Sequence, residues 1–264
     1  MVRALAAGLL ALAALVAGCA STPSKDEAPN ATADRLYRDG RDEMTSGAYD
    51  RAIKLFERVE GLAAGTLLAQ QAQLDMAYAQ WRSDDRSAAL ATVDRFVKLN
   101  PSSPALDYAM YLRGMINFNE NLGFLGNIAG QRISERDQRA ARDSWQAFKQ
   151  LVDQFPESRY TPDARLRMDF IVNSLAEYEL NVARYYLRRG AYVAAANRAQ
   201  QGVSEFPQSP SVEESLAIMV QSYDKLGLVT LRDDAERVLR MNYPHSRYLA
   251  GVADANSKPW WRFW

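Results

Sequence analysis

The chain has 264 residues, 48% of them hydrophobic, and its 32 basic and 32 acidic side chains leave a formal charge of zero, so nothing favours a nucleic-acid partner. A single cysteine excludes an internal disulfide, and a single histidine leaves no Cys/His cluster with metal-ligand spacing. No GxSxG, HExxH or P-loop motif is present, which speaks against the common hydrolase and nucleotide-binding classes.

Arg3 is the only charge before Lys25, and Ala4 to Val16 is an unbroken run of Ala, Leu, Val and one Gly. A charged start, a short apolar run and a small-residue exit predict a secretory signal over residues 1–18. The run is shorter than the roughly 20 apolar residues of a membrane-spanning helix. It ends in Leu15-Val16-Ala17-Gly18-Cys19, which resembles the lipobox of bacterial lipoproteins and makes Cys19 the expected lipidation site. The only group expected on the chain is therefore a covalent N-acyl diacylglycerol on Cys19, with no other cofactor and no metal. Two or more acyl chains already give stable attachment, at about 0.8 kcal/mol per buried methylene. Ala20 and Ser21 follow, where lipoproteins kept at the inner membrane commonly carry Asp. The expected location is the outer membrane, lipid-anchored and facing the periplasm. Residues 19–32, polar with two prolines and no periodicity, read as a lipidated flexible tether.

From Ala33 helical spacing dominates, and the fold class expected over residues 33–250 is all-α, a TPR-like α-solenoid of about five helix pairs. Leu36, Tyr37, Gly40 and Met44 make one stripe; Tyr49, Ala52, Ile53, Phe56 and Val59 make the next, with Gly47 between them. Large residues facing small ones on paired helices with Gly at the turn is the tetratricopeptide (TPR) pattern. It recurs at Tyr186, Gly190, Tyr192, Ala195 and Ala199. A second punctuation is Pro-x-Ser, at Pro101, Pro156, Pro207 and Pro244, where proline cannot continue the preceding helix. Phe155-Pro-Glu-Ser-Arg-Tyr160 and Tyr243-Pro-His-Ser-Arg-Tyr248 nearly coincide. Ser103-Pro104, Thr161-Pro162 and Ser209-Pro210 read as N-caps followed by proline at the first helical position, with Ser211 to Glu214 as an alternative capping box. The predicted pairs are roughly 33–65, 66–101, 104–156, 161–207 and 211–244. The proline intervals exceed the 34-residue TPR period for two reasons: an apolar, glycine-rich loop over 119–135, of a length that is often functional, and a long helix from about Thr161 to Arg188.

The paired carboxylates Asp84-Asp85, Glu213-Glu214 and Asp233-Asp234 fall at predicted turns or helix starts, where acids meet the helix dipole favourably. His245 lies in a Pro-x-Ser turn. No catalytic residues are assigned, and the chain is read as a non-enzyme. Arginine outnumbers lysine 26 to 6, a bias that GC-rich coding produces and that also suits carboxylate recognition.

Leu99-Asn-Pro101, Asp107-Tyr-Ala-Met-Tyr-Leu-Arg-Gly114, Tyr178-Glu179, Arg184-Tyr-Tyr-Leu-Arg-Arg-Gly-Ala-Tyr192 and Asn197-Arg198 resemble the BamD (ComL) family of outer-membrane assembly lipoproteins. The likeness runs from the lipobox to about Leu226. It implies a subunit of the β-barrel assembly machinery that binds the periplasmic POTRA domains of BamA, and unfolded barrel proteins whose chains end in an aromatic residue with a free carboxylate. Other Bam lipoproteins are further possible partners. An aromatic and arginine surface fits such an end, the guanidinium pairing with the carboxylate. The candidate peptide-binding residues are Tyr37, Arg41, Tyr78, Trp81, Arg82, Tyr108 and Tyr111. By the same resemblance Arg198, with Arg188 and Arg189 as neighbours, is the candidate BamA interface. The rival reading is another periplasmic TPR lipoprotein, an adaptor for envelope proteases or cell-wall synthesis.

Residues 251–264 depart from the family pattern and end in Lys258-Pro-Trp-Trp-Arg-Phe-Trp264. Such residues favour a membrane interface, or dock on a partner or on the end of the repeat stack.

Overall fold

The computed structural model describes residues 29–118 and 135–249, and every regular element among them is helical. The signal peptide, Cys19, residues 20–28 of the tether, the loop over 119–134 and the aromatic tail lie outside the described residues. Ten helices are described: α1 (Pro29–Thr45), α2 (Tyr49–Leu62), α3 (Leu67–Arg82), α4 (Arg86–Leu99), α5 (Leu106–Asn117), α6 (Glu135–Gln154), α7 (Thr161–Arg188), α8 (Tyr192–Glu205), α9 (Val212–Lys225) and α10 (Val229–Asn242). Their number and order match the five expected pairs, and four of those pairs, α1–α2, α5–α6, α7–α8 and α9–α10, pack within one unit. α1 opens at Pro29, so residues 29–32, expected in the tether, are helical. The stretch 33–250, read as one domain, falls into two units, Met1–Ala79 and Gln80–Trp264, divided inside α3. Among the described residues no helix is long and apolar enough to cross a membrane.

Two local devices set the pairs. Between the helices of a pair the chain closes a Schellman cap. Gly47, Asp84, Gly190 and Gly227 have φ of 80°, 67°, 74° and 71°. In each case the next residue's N–H returns to a carbonyl five residues back (Ala48 to Glu43 at 2.8 Å, Asp85 to Gln80 at 2.9 Å, Ala191 to Tyr186 at 3.0 Å, Leu228 to Tyr223 at 2.9 Å). Three of the four are glycine because a Cβ is strained at positive φ; Asp84 is one of the few side chains that tolerate it. Each cap launches the next helix two residues later.

The Pro-x-Ser turn is built the same way four times, three times between pairs and once after α10, the last described helix. The Ser103, Ser158, Ser209 and Ser246 hydroxyls accept from the N–H two residues on, at 3.3, 3.2, 3.2 and 3.2 Å. The serine N–H and C=O also close bonds of 3.0–3.1 Å to the residues three before and three after. This corrects the capping expectation. Ser103 and Ser209 hold the turn rather than a helix end, and Thr161 is already helical, its hydroxyl donating 2.7 Å to the Phe155 carbonyl. Pro162 does sit in the first turn of α7. Ser211 makes no side-chain cap, so the capping box is absent.

In the first unit, Leu36, Ala52, Phe56, Val59, Ala72 and Met76 bury one core, with Tyr37, Met44, Tyr49 and Ile53 packed at its edge. The close approach of α1 to α2 depends on Gly40, where a Cβ would stand 2.7 Å from the Phe56 ring. In the second unit each helix from α4 to α10 packs on the next, and α7 also meets α9. That is nearest-neighbour stacking of helix pairs. Its largest core joins α5, α6 and α7 through Leu106, Met110, Phe148, Leu151 and Ile171. Gly114 is its tightest point, since a Cβ there would lie 2.3 Å from Phe148. Where Ala196, Ala199 and Val203 on α8 face α9, the residues of α10 in the same register are Asp233, Glu236 and Arg240. Asp233 pairs with Arg232 at 2.7 Å, and Glu236 pairs with Arg240. The stack therefore ends on a charged face, and Asp233-Asp234 belong to it rather than to a helix start.

Candidate functional site

Three carboxylates, the buried Asp75 and Glu214 and the partly exposed Asp163, are each held between a phenol and a guanidinium. In the first unit Asp75 accepts from the Tyr37 hydroxyl at 2.6 Å and from Arg41 Nη1 at 3.2 and 3.3 Å. Burial, and then the Asp75 carboxylate, push the Tyr37 phenol well above its ordinary range, so it stays a donor. Asp75 likewise holds Arg41 firmly protonated. The Arg41 side chain is 49% exposed while that of Asp75 is 12% exposed, so the guanidinium's outer edge faces water.

In the second unit the arrangement recurs on α5 and α7. Tyr111 donates to Asp163 at 2.7 Å, and Arg167 Nε reaches the same oxygen at 2.6 Å. Burial would raise the Asp163 pKa, but the bonds from Arg167 and Tyr111 outweigh it and hold it low. Tyr111 also stacks on Tyr160, centroids 4.8 Å apart, and Tyr108 lies 5.5 Å from the same ring. Arg159 covers Tyr160 and Arg167 covers Phe118, at 4.7 and 4.6 Å. The result is a half-buried aromatic cluster edged by two arginines.

A third copy joins α7 to α9. Arg184 grips Glu214 through Nε and Nη2 at 2.5 and 2.6 Å, and Tyr248 donates to Glu214 at 2.8 Å. Burial opposes ionisation of Glu214, and Arg184 with Tyr248 overcomes it. Glu213 and Glu214 lie in the first turn of α9, as expected, and Glu214 also forms a buried ion pair. Asp85 is the acid that caps a helix, accepting from Ala88 N–H at 3.0 Å.

Of the seven candidate peptide residues, Tyr37, Arg41 and Tyr78 lie in the first unit and Trp81, Arg82, Tyr108 and Tyr111 in the second. Tyr37 and Arg41 meet on Asp75, and Tyr108 and Tyr111 meet on Tyr160. Tyr78 and Trp81 are half-buried and Arg82 is exposed along α3. Of the three candidate interface arginines, Arg188 and Arg189 are exposed at the end of α7, Arg189 lying 5.4 Å over the Tyr185 ring. Arg198 differs. It pairs with Glu179 at 3.2 Å, its own side chain 41% exposed and that of Glu179 only 3%. Burial raises the Glu179 pKa, partly offset by Arg198. Alongside, Gln201 contacts Arg198 and Glu205, and Glu205 pairs with Arg142 at 2.9 Å.

Sequence reasoning passes over Asp75, Tyr160, Asp163, Arg167 and Glu179. The signal for Asp75 and Glu179 is a lone acid on an otherwise apolar helix face, as in Gln73-Leu-Asp-Met-Ala77 and Leu175-Ala-Glu-Tyr-Glu-Leu180. For Tyr160 it is the twinned Ser-Arg-Tyr.

A family model described as YfiO, outer membrane lipoprotein, matches residues 29–239. The chain is 43% identical over 259 residues to an outer membrane protein assembly factor BamD of Neisseria meningitidis serogroup A, covering 97% of each. It is 33% identical to a Vibrio cholerae protein of that name, over 89% of this chain and 96% of the other. A Xylella fastidiosa counterpart is 35% identical, over 94% and 84%. Among solved structures, the MamA protein covers 86% of this chain at 14% identity and a TM-score of 0.37, too loose a likeness to add to the helix packing above.

Proposed function

The chain belongs to the YfiO family of outer membrane lipoproteins, and from that membership we propose that it is a non-enzymatic assembly factor for outer-membrane β-barrels, anchored through acylated Cys19 on the periplasmic side. The observation that carries the reading is the end-to-end match, 97% of both chains, to a relative named for outer membrane protein assembly. A shared repeat alone would not demand it, because TPR-like pairs serve many partners.

Two kinds of surface divide the work, and each unit carries its own copy of the first. The Tyr37–Asp75–Arg41 and Tyr111–Asp163–Arg167 clusters receive the aromatic, carboxylate-ended chain of an unfolded barrel protein. Each offers a ring for apolar contact beside a guanidinium already oriented by an acid, buried in the case of Asp75 and partly exposed in the case of Asp163. Asp75 engages Arg41 through Nη1, and the planar fork has donors to spare for a second carboxylate. Because the acid holds the arginine in place before the ligand arrives, little side-chain freedom is lost on binding. The second surface is the helix α8 face around Arg198, with Arg188 and Arg189, for the POTRA domains of BamA.

Pull-down of the tagged, lipidated chain from outer membranes tests the reading. BamA in the eluate is the expected result. A periplasmic protease or cell-wall synthase without BamA would replace the assembly role with an adaptor role.

A further inference from the structure

The internal repeat allows α10 to be compared, residue by residue, with the other helices that follow a Schellman cap. Counting from the cap residues Gly47, Asp84, Gly190 and Gly227, the positions four, eleven and fourteen residues on lie along one flank of each helix. In α2 they are Arg51, Arg58 and Gly61; in α4, Ala88, Arg95 and Lys98; in α8, Ala194, Gln201 and Ser204. In α10 they are Leu231, Val238 and Met241, which are 47%, 37% and 73% exposed. Three helices keep this flank small or polar, and the terminal one makes it wholly apolar. The repeat does not require those side chains, and the charged end face built on Asp233, Glu236 and Arg240 excludes a sixth pair as the reason for them.

The occupant is indicated by where the chain goes next. Tyr248 is pinned to Glu214, and Tyr248 and Leu249 pack with Leu239 of α10. The described chain therefore ends, at Leu249, beside the carboxy-terminal half of α10, where Val238 and Met241 sit, and residues 250–264 follow in the sequence. They contain Trp260, Trp261, Phe263 and Trp264. Leu249 and Trp260 are eleven residue steps apart, enough to span up to about 36 Å, whereas Leu231 to Met241 covers only about 15 Å of helix. The stripe offers at most a few hundred Å², well under the roughly 800 Å² per partner of a stable complex between chains. An intramolecular strap needs no such area, since its effective concentration is set by the short connection.

We propose that the aromatic tail folds back along α10 and covers Leu231, Val238 and Met241, so that the apolar flank and the aromatic residues shield one another. Hydrogen exchange on the full-length lipidated chain in phosphatidylethanolamine/phosphatidylglycerol nanodiscs tests this in both directions. Replacing Trp260, Trp261 and Trp264 together by Ser should speed exchange over residues 229–242 by at least about threefold, as local opening loses its restraint. Val238→Asp with Met241→Asp, both at exposed positions that tolerate charge, should speed exchange over 250–264 to a similar degree. Failure of either segment to respond to changes in the other overturns the proposal. Tail protection that survives Val238→Asp/Met241→Asp but is lost when the chain is studied without lipid would assign the tail to the membrane instead. Protection of 229–242 that rises with protein concentration would assign the flank to a second copy. Each of those results also overturns it.

Discussion

Replacing Arg198 is the obvious way to test a partner surface on α8, and the geometry shows why the single variant misleads. Arg198 is the ion-pair partner of Glu179, whose side chain is 3% exposed. Removing one member of a buried pair costs about 3–5 kcal/mol, and an exposed pair is worth about 0.2–1 kcal/mol. With Arg198 41% exposed, Arg198→Ala should fall between these limits, at about 2 kcal/mol. Arg198→Glu should cost more, because it sets a second carboxylate beside the first. In a protein of this size about 2 kcal/mol lowers Tm by roughly 4–8 °C, enough to reduce co-purification of any partner through lower abundance. The informative variant is Glu179→Gln combined with Arg198→Gln, which removes both charges and leaves no buried ion. It should regain most of the lost Tm in thermal melts while still binding BamA poorly if Arg198 is a contact. The pH dependence supplies a second check. Glu179 has its pKa raised by burial. Its favourable contribution is therefore complete below the ordinary carboxylate range near pH ~4.3 and is lost as pH rises through the folded value. The Arg198→Ala defect should shrink on acidification toward that range. A double variant that melts like Arg198→Ala, or a defect that is flat with pH, would refute the argument that Arg198 neutralises Glu179.

Gly114→Ala should destabilise by about 1–3 kcal/mol in urea melts, because its Cβ would lie 2.3 Å from Phe148 and overpacking costs that much; an unchanged midpoint would mean that α5 and α6 part freely. Glu214 has the opposite sign to Glu179: burial works against it, but bonds from Arg184 and Tyr248 hold its pKa low. Its stabilisation is present above about pH 4.3 and lost as pH falls through the lower folded value, so Glu214→Gln should be less stable at pH 7 and show a flatter acid limb. Arg41→Glu with Arg82→Glu should weaken binding of a barrel-derived peptide with a free aromatic carboxy terminus, by about tenfold if one charge-assisted pair is lost; equal affinity in a calorimetric titration would remove both from the site. Amidating that peptide should cost the native chain a similar factor and the double variant almost nothing.

The helices were legible because their signals are local and repeated. Gly47, Gly190 and the four Pro-x-Ser turns state where pairs divide, and the stripe from Leu36 to Val59 is buried as its spacing predicts. What the turns do mechanically was not legible. Ser103 reads as an N-cap from its neighbours alone, and only the closed bonds around it show a turn that holds itself. The carboxylate triads were also hidden, since Tyr37 and Asp75, or Tyr111 and Asp163, meet over 38 and 52 residues of chain. Spacing along α1 names Tyr37 and Arg41 but says nothing of Asp75 arriving from α3, and spacing along α7 joins Asp163 to Arg167 but says nothing of Tyr111 arriving from α5.

The Pro-x-Ser turn has a consequence for the order in which the chain acquires structure. The bonds that all four turns share, side chain and backbone, join residues no more than three apart. Closing so short a loop costs little chain entropy, so the turn is cheap to form before any distant contact exists. The Schellman caps share this property over five residues. A chain delivered amino terminus first can therefore set each junction as it emerges and dock each helix on one already in place, with little waiting for residues still to come.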